Sequence, residues 1–171
     1  MTDEETCAHF EHLLNLDSDI LHVVWDLDGT LGRLPGWEGE ALDEYVERLP
    51  LLQKLLAIVR LRRGGANILC SRNALFCDDH YSWSGQDFRG LGMDAVLKCY
   101  RFNRGSKVHE MQPFGGRRFL IDDQAAECER AAQEGAWAMQ VHAPIMQALA
   151  TGAYTIHAPK DYQAPLEPVW W

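Results

Sequence analysis

The chain has 171 residues, 47% of them hydrophobic and 24% charged, and carries a net charge of −9. These values exclude disorder throughout, and no apolar run approaches the ~18 residues of a membrane helix. General nucleic-acid binding is not expected of so acidic a chain.

Residues 2–16 carry Cys7, Phe10, Leu13 and Leu14 at near-helical spacing and predict an amphipathic N-terminal helix. Asp17, Ser18 and Asp19 end it. Residues 20–25 form a short apolar run, closed by Asp26-Leu27-Asp28-Gly29, that suits a strand buried on both faces of a parallel sheet. Residues 32–39 are rich in Gly and read as a loop or tight hairpin. Leu42, Tyr45, Val46 and Leu49 then make a helical stripe, broken or restarted by Pro50. An apolar helix follows over 51–63 and closes at Gly64-Gly65. Residues 66–70 are the second strand, 72–92 are polar with scattered aromatics, and 95–100 are a third strand. Residues 117–121 are the fourth strand, 124–134 a helix ended by Gly135, 136–141 the fifth strand and 144–150 a short helix. The tail from 158 to 171 holds three prolines and ends in Trp170-Trp171.

Alternating strands and helices with short connections predict one α/β domain over 1–171, with a doubly wound, mostly parallel, five-stranded sheet and a core at about 20–142. Ligands of such sheets sit at the carboxyl ends of the strands. Those ends here present Asp26 and Asp28, Ser71, Lys98 with Arg101, and Asp122 with Asp123. Asp26 and Asp28 alone fit an ordinary Asp/Gly turn, and Asp122-Asp123 alone fits a helix cap. Brought together, they form a carboxylate cluster that repels itself unless a cation enters it. Its all-oxygen donors suit Mg²⁺. Ser71, followed by Arg72 and Asn73, fits a phosphate-holding hydroxyl at a helix start as well as a plain cap. Lys107, in Gly105-Ser106-Lys107, is suited to neutralise phosphate and carboxylate.

These segments resemble the motifs of the haloacid dehalogenase superfamily of phosphohydrolases. Residues 23–31, read Val-Val-Trp-Asp-Leu-Asp-Gly-Thr-Leu, resemble the first motif. Cys70-Ser71-Arg72 resembles the second, Lys107 the third, and Phe119-Leu120-Ile121-Asp122-Asp123 the fourth. Lys98 is a rival for the third motif, and the Gly-Ser-Lys context favours Lys107. The resemblance is nearest to the small magnesium-dependent phosphatases and covers about 20–142. It implies a nucleophile at Asp26, a general acid and base at Asp28, and phosphate contacts from Ser71, Arg72 and Lys107. It also implies Mg²⁺ held by Asp26, the Asp28 backbone carbonyl, Asp122 and Asp123.

The two usual places for a cap domain, 31–65 and 72–106, are too short for one. An open site is therefore expected, admitting a phosphorylated substrate that can be macromolecular, with Arg33 and Trp37 as rim contacts or loop packing. Lys98, Arg101, Arg104 and Lys107 form either a steering patch or a solvated loop. Asp78-Asp79-His80 reads as a solvated turn, and His9 and His12 as surface or satisfied residues. Five cysteines with no Cys-x-x-Cys pair fit a reducing compartment. Residues 1–10 lack the apolar core of a leader, so a cytoplasmic protein is expected. Alternatives to the hydrolase are a phosphotransferase or nucleotidase of the same family, and a silent phosphate-binding scaffold. A two-component receiver uses similar residues in another order, with its acidic pair at the first strand and its phosphoacceptor at the third.

Overall fold

A computed structural model describes residues 1–32, 46, 48–71, 90–98, 106–109 and 116–164. Among them, helix α1 spans Asp3–Leu14, strand β1 Ile20–Trp25, helix α2 Leu49–Leu61, and strand β2 Asn67–Ser71. Strands β3 and β4 span Ala95–Lys98 and Arg117–Asp122, and helix α3 Ala125–Gln133. Strand β5 (Trp137–Val141), helix α4 (Ile145–Thr151) and strand β6 (Tyr154–His157) complete the order.

The strand order is β3-β2-β1-β4-β5-β6. Strands β1 to β5 are parallel, as expected. Among the described residues the five expected strands are joined by a sixth, β6, which adds an antiparallel edge beside β5. The chain runs outward from β1 to β3, then returns to lay β4 on the other side of β1. The β1–β4 seam is thus the point where strand order reverses, the place such sheets use for ligands.

Alternation along each strand separates two apolar layers. Val23, Trp25, Leu69, Phe119 and Ile121 pack with Phe10 and Leu14 of α1, the leucines of α2 and Ile145 and Leu149 of α4. Val24, Ile68, Cys70 and Leu120 face the other way, against Cys128 and Ala131 of α3 and Val108. Small residues on α3 let it lie close over that face. At its start, α1 is closed by a capping box between Thr2 and Glu5.

A buried polar cluster locks β1, β2 and α2 together. Trp25 Nε1 donates to Asn67 Oδ1 at 3.0 Å, and Asn67 Nδ2 donates to the Leu56 carbonyl at 2.9 Å. These pairings offset the cost of burying the polar atoms there.

The expected helix stripe through Val46 is corrected. Val46 forms an isolated antiparallel bridge with Gly32, and Arg48 takes a left-handed φ of 52° just before α2. That backbone state interrupts a right-handed helix, so α2 starts afresh at Leu49 with Pro50 in its first turn. Leu42 and Tyr45 lie outside the described residues. So do Arg33, Trp37, Arg72, Asp78-Asp79-His80, Arg101, Arg104 and Trp170-Trp171, and, of the two segments on which the open-site expectation rests, residues 33–45 and 47 of the first and most of 72–106. No helix among the described residues is long and apolar enough to cross a membrane.

Candidate metal and phosphate site

Asp26 follows β1 directly. Its N–H donates to the Ile121 carbonyl at 2.9 Å, which extends the β1–β4 ladder by one rung. Trp25 pairs with Ile121, so the next residues, Asp26 and Asp122, stand side by side across the seam. Both keep the facing of Val24 and Leu120, toward the α3 layer.

Lys107 enters from a short turn at 106–109. Val108 anchors that turn in the α3-side core, and Ser106 Oγ donates to the Glu134 carboxylate at the end of α3. Thus held, the ammonium lies between the two aspartates, 2.6 Å from Asp26 Oδ1 and 2.7 Å from Asp122 Oδ2. All three are shut off from solvent, with Lys107 3%, Asp26 5% and Asp122 0% exposed. Lys107 is therefore a buried counter-ion, and it drops out of the surface patch that the sequence allowed. Only the backbone of Lys98 is described; it pairs with Ser71 at the end of β3.

Asp123 adds a third carboxylate. One oxygen from each of Asp26, Asp122 and Asp123 lies within 4.8 Å of the others. Gly29 makes this possible: its φ is +78°, and a Cβ there would meet Asp123 Oδ2 at 2.5 Å. Asp122 is fixed further by the Gln124 N–H, which donates to Oδ1 at 2.9 Å. Gln124 itself caps α3 by position, with no side-chain cap bond, so Asp122-Asp123 is not the cap that the bland reading proposed.

The balance of charge is unequal. Burial, opposed by Lys107, pushes Asp26 up to about 6. Burial and the neighbouring Asp26 push Asp122 to about 6 as well. Asp123 is also raised, chiefly by burial. Burial disfavours the charge on Lys107, but Asp26 and Asp122 outweigh it and hold the ammonium protonated well above its usual range. Among the described residues, one lysine faces three acids there and does not neutralise them all.

The group can hold a cation. Ligands of an octahedral Mg²⁺ stand about 3.0 Å apart when adjacent and about 4.2 Å when opposite, so oxygens within 4.8 Å of one another would draw inward on binding. The donors are all hard oxygens, which select against soft thiolate-seeking metals.

Ser71 ends β2 and is buried. By register it stands level with Leu27, one step beyond Asp26, on the strand next to β1. Asp28 is half-buried in the loop after β1, where its backbone bridges to Gly32. Its carboxylate lies outside the group of three. His9, read as surface or satisfied, has its Nε2 2.7 Å from the Tyr154 hydroxyl.

Thr30 was not among the residues singled out from sequence. It is fully buried, and its hydroxyl donates to Asp26 Oδ2 at 2.9 Å. The signals were its place in the 23–31 segment and its position four residues after Asp26, where one turn of chain brings a hydroxyl back.

No protein-family model matches the chain, and neither the curated proteins nor the solved structures compared with it include a match.

Proposed function

We propose that the chain is a Mg²⁺-dependent phosphomonoester hydrolase of the haloacid dehalogenase type. The observation that carries this reading is the convergence of Asp26, Asp122, Asp123 and Lys107 at the β1–β4 seam. A dinucleotide site at the same seam would present glycines and a helix N-terminus to its pyrophosphate. Here the first loop presents Asp26 and Asp28, which repel an anion until cationic charge is added.

Asp26, Asp122 and Asp123 would hold the Mg²⁺, joined by the Asp28 carbonyl. When bound, Mg²⁺ supplies positive charge that screens phosphate from carboxylate and stabilises charge building on the phosphoryl oxygens. Asp26 attacks phosphorus, the bond to the leaving oxygen breaks, and an aspartyl phosphate forms. Asp28 gives its proton to the leaving oxygen. It then takes a proton from the water that cleaves the aspartyl phosphate, which releases inorganic phosphate and restores Asp26. Lys107, already on Asp26, meets the phosphoryl group as its charge grows. Ser71 and Arg72 would hold its remaining oxygens. The substrate is a phosphate monoester, free or on a macromolecule, and the cytoplasm is its proposed compartment.

The test is turnover of an aryl phosphate with and without Mg²⁺, beside Asp26→Asn. The expected result is metal-dependent release of phosphate that the variant lacks, with phosphate trapped on Asp26 after acid quench. A folded parent that neither turns over nor becomes phosphorylated would overturn the reading in favour of a phosphate-binding scaffold.

A further inference from the structure

Both oxygens of the Asp26 carboxylate are engaged, and by different partners. Lys107 takes Oδ1 at 2.6 Å, and the Thr30 hydroxyl takes Oδ2 at 2.9 Å. A carboxylate held at both oxygens cannot turn about its Cβ–Cγ bond without breaking one of them. The lysine is shared with Asp122, so its hold on Asp26 is divided between two acids. The threonine hydroxyl donates to Asp26.

Thr30 is itself held at several points. Its carbonyl accepts from Ile145 N–H, the first residue of α4, at 2.8 Å. Its N–H and that of Leu31 donate to the Leu27 carbonyl at 3.3 and 2.9 Å. Leu27 and Leu31, on either side, are fully buried in the core shared with α4. The hydroxyl is thus fixed by the fold and not by the ligand.

We infer that Thr30 is a positioning residue for Asp26: it holds Oδ2 so that the carboxylate keeps one orientation toward cation and phosphoryl group. The inference rests on the hydrolase reading above. It assigns Thr30 no contact with substrate. A charge-assisted hydrogen bond in a dry site is worth enough to change affinity about tenfold when lost.

The test compares the parent with Thr30→Val, which keeps the shape and removes the donor, and Thr30→Ser, which keeps the donor. Beryllium trifluoride mimics a phosphoryl group on a carboxylate, so its half-saturation with saturating Mg²⁺ reports Asp26 geometry without turnover. Mg²⁺ alone is titrated in parallel. The expected result is a half-saturation raised about tenfold in Thr30→Val and within about twofold of the parent in Thr30→Ser. kcat for an aryl phosphate should fall more than KM rises in Thr30→Val. Equal half-saturation in parent and Thr30→Val overturns the positioning role and leaves the hydrolase reading intact. A parent that binds Mg²⁺ but not beryllium trifluoride overturns the hydrolase reading, and this role with it. Should Thr30→Val not fold, Thr30→Ala carries the same comparison.

Discussion

The two ends of the sheet each bury acidic side chains, and they treat them in opposite ways. At the amino end, each oxygen of Asp17 accepts a hydrogen bond, and Arg117 adds an ion pair. Asp19 N–H reaches Oδ1 at 2.9 Å, while Trp137 Nε1 and Arg117 Nε stand 2.8 and 2.9 Å from Oδ2. That carboxylate joins the starts of β4 and β5 to the entry of β1. At the carboxyl end, Asp26 and Asp122 share Lys107, Asp123 stands beside them, and burial leaves Asp26 and Asp122 reluctant to ionise. One end is electrostatically closed and serves the fold. The other, among the described residues, gathers three acids around one lysine.

The largest contrast is expected in activity. Asp26→Asn should lower aryl phosphate turnover by about 10⁴-fold or more, as loss of a nucleophile does. Asp17→Asn should leave kcat within about threefold, which would break the comparison if it did not. Next comes stability without metal. Lys107→Met leaves buried carboxylates without their counter-ion and should cost about 3–5 kcal/mol in urea unfolding. Added Mg²⁺ should recover part of that loss, since a ligand bound only by the native state stabilises it. Asp17→Asn removes the charge that pairs with Arg117 and should cost about 1–3 kcal/mol, with no recovery on adding Mg²⁺. The smallest effect on stability belongs to Gly29→Ala. A left-handed φ costs a residue with Cβ about 1–2 kcal/mol. Because that Cβ displaces Asp123, Mg²⁺ binding should weaken while the amino end is untouched.

Much of the fold was legible because its strands are short apolar runs with abrupt polar ends. Val23-Val24-Trp25 before Asp26, and Phe119-Leu120-Ile121 before Asp122, mark where two parallel strands leave the core. The observed elements differ from the expected bounds by a few residues at most. Strand β6 escaped because Tyr154-Thr155-Ile156-His157 is a brief, half-exposed edge whose conformation depends on pairing with β5. Val46 misled because apolar residues at helical spacing fit a helix as well as a bridged loop. The resemblance supplied Asp26, Asp122, Asp123 and Lys107 as one set. Their convergence depends on β4 lying beside β1, which no local pattern states. The burial of Lys107 and the hydroxyl of Thr30 on Asp26 are tertiary facts with almost no local signature.

The central claim is that the carboxyl end of the sheet is built for a cation and the amino end is not. Isothermal titration of Mg²⁺ into the parent, Asp122→Asn and Asp17→Asn tests it most directly. The account predicts one bound Mg²⁺ per chain in the parent and in Asp17→Asn, and affinity at least about tenfold weaker in Asp122→Asn. A parent that takes up no Mg²⁺, or an Asp122→Asn variant that binds it as tightly, would contradict the account.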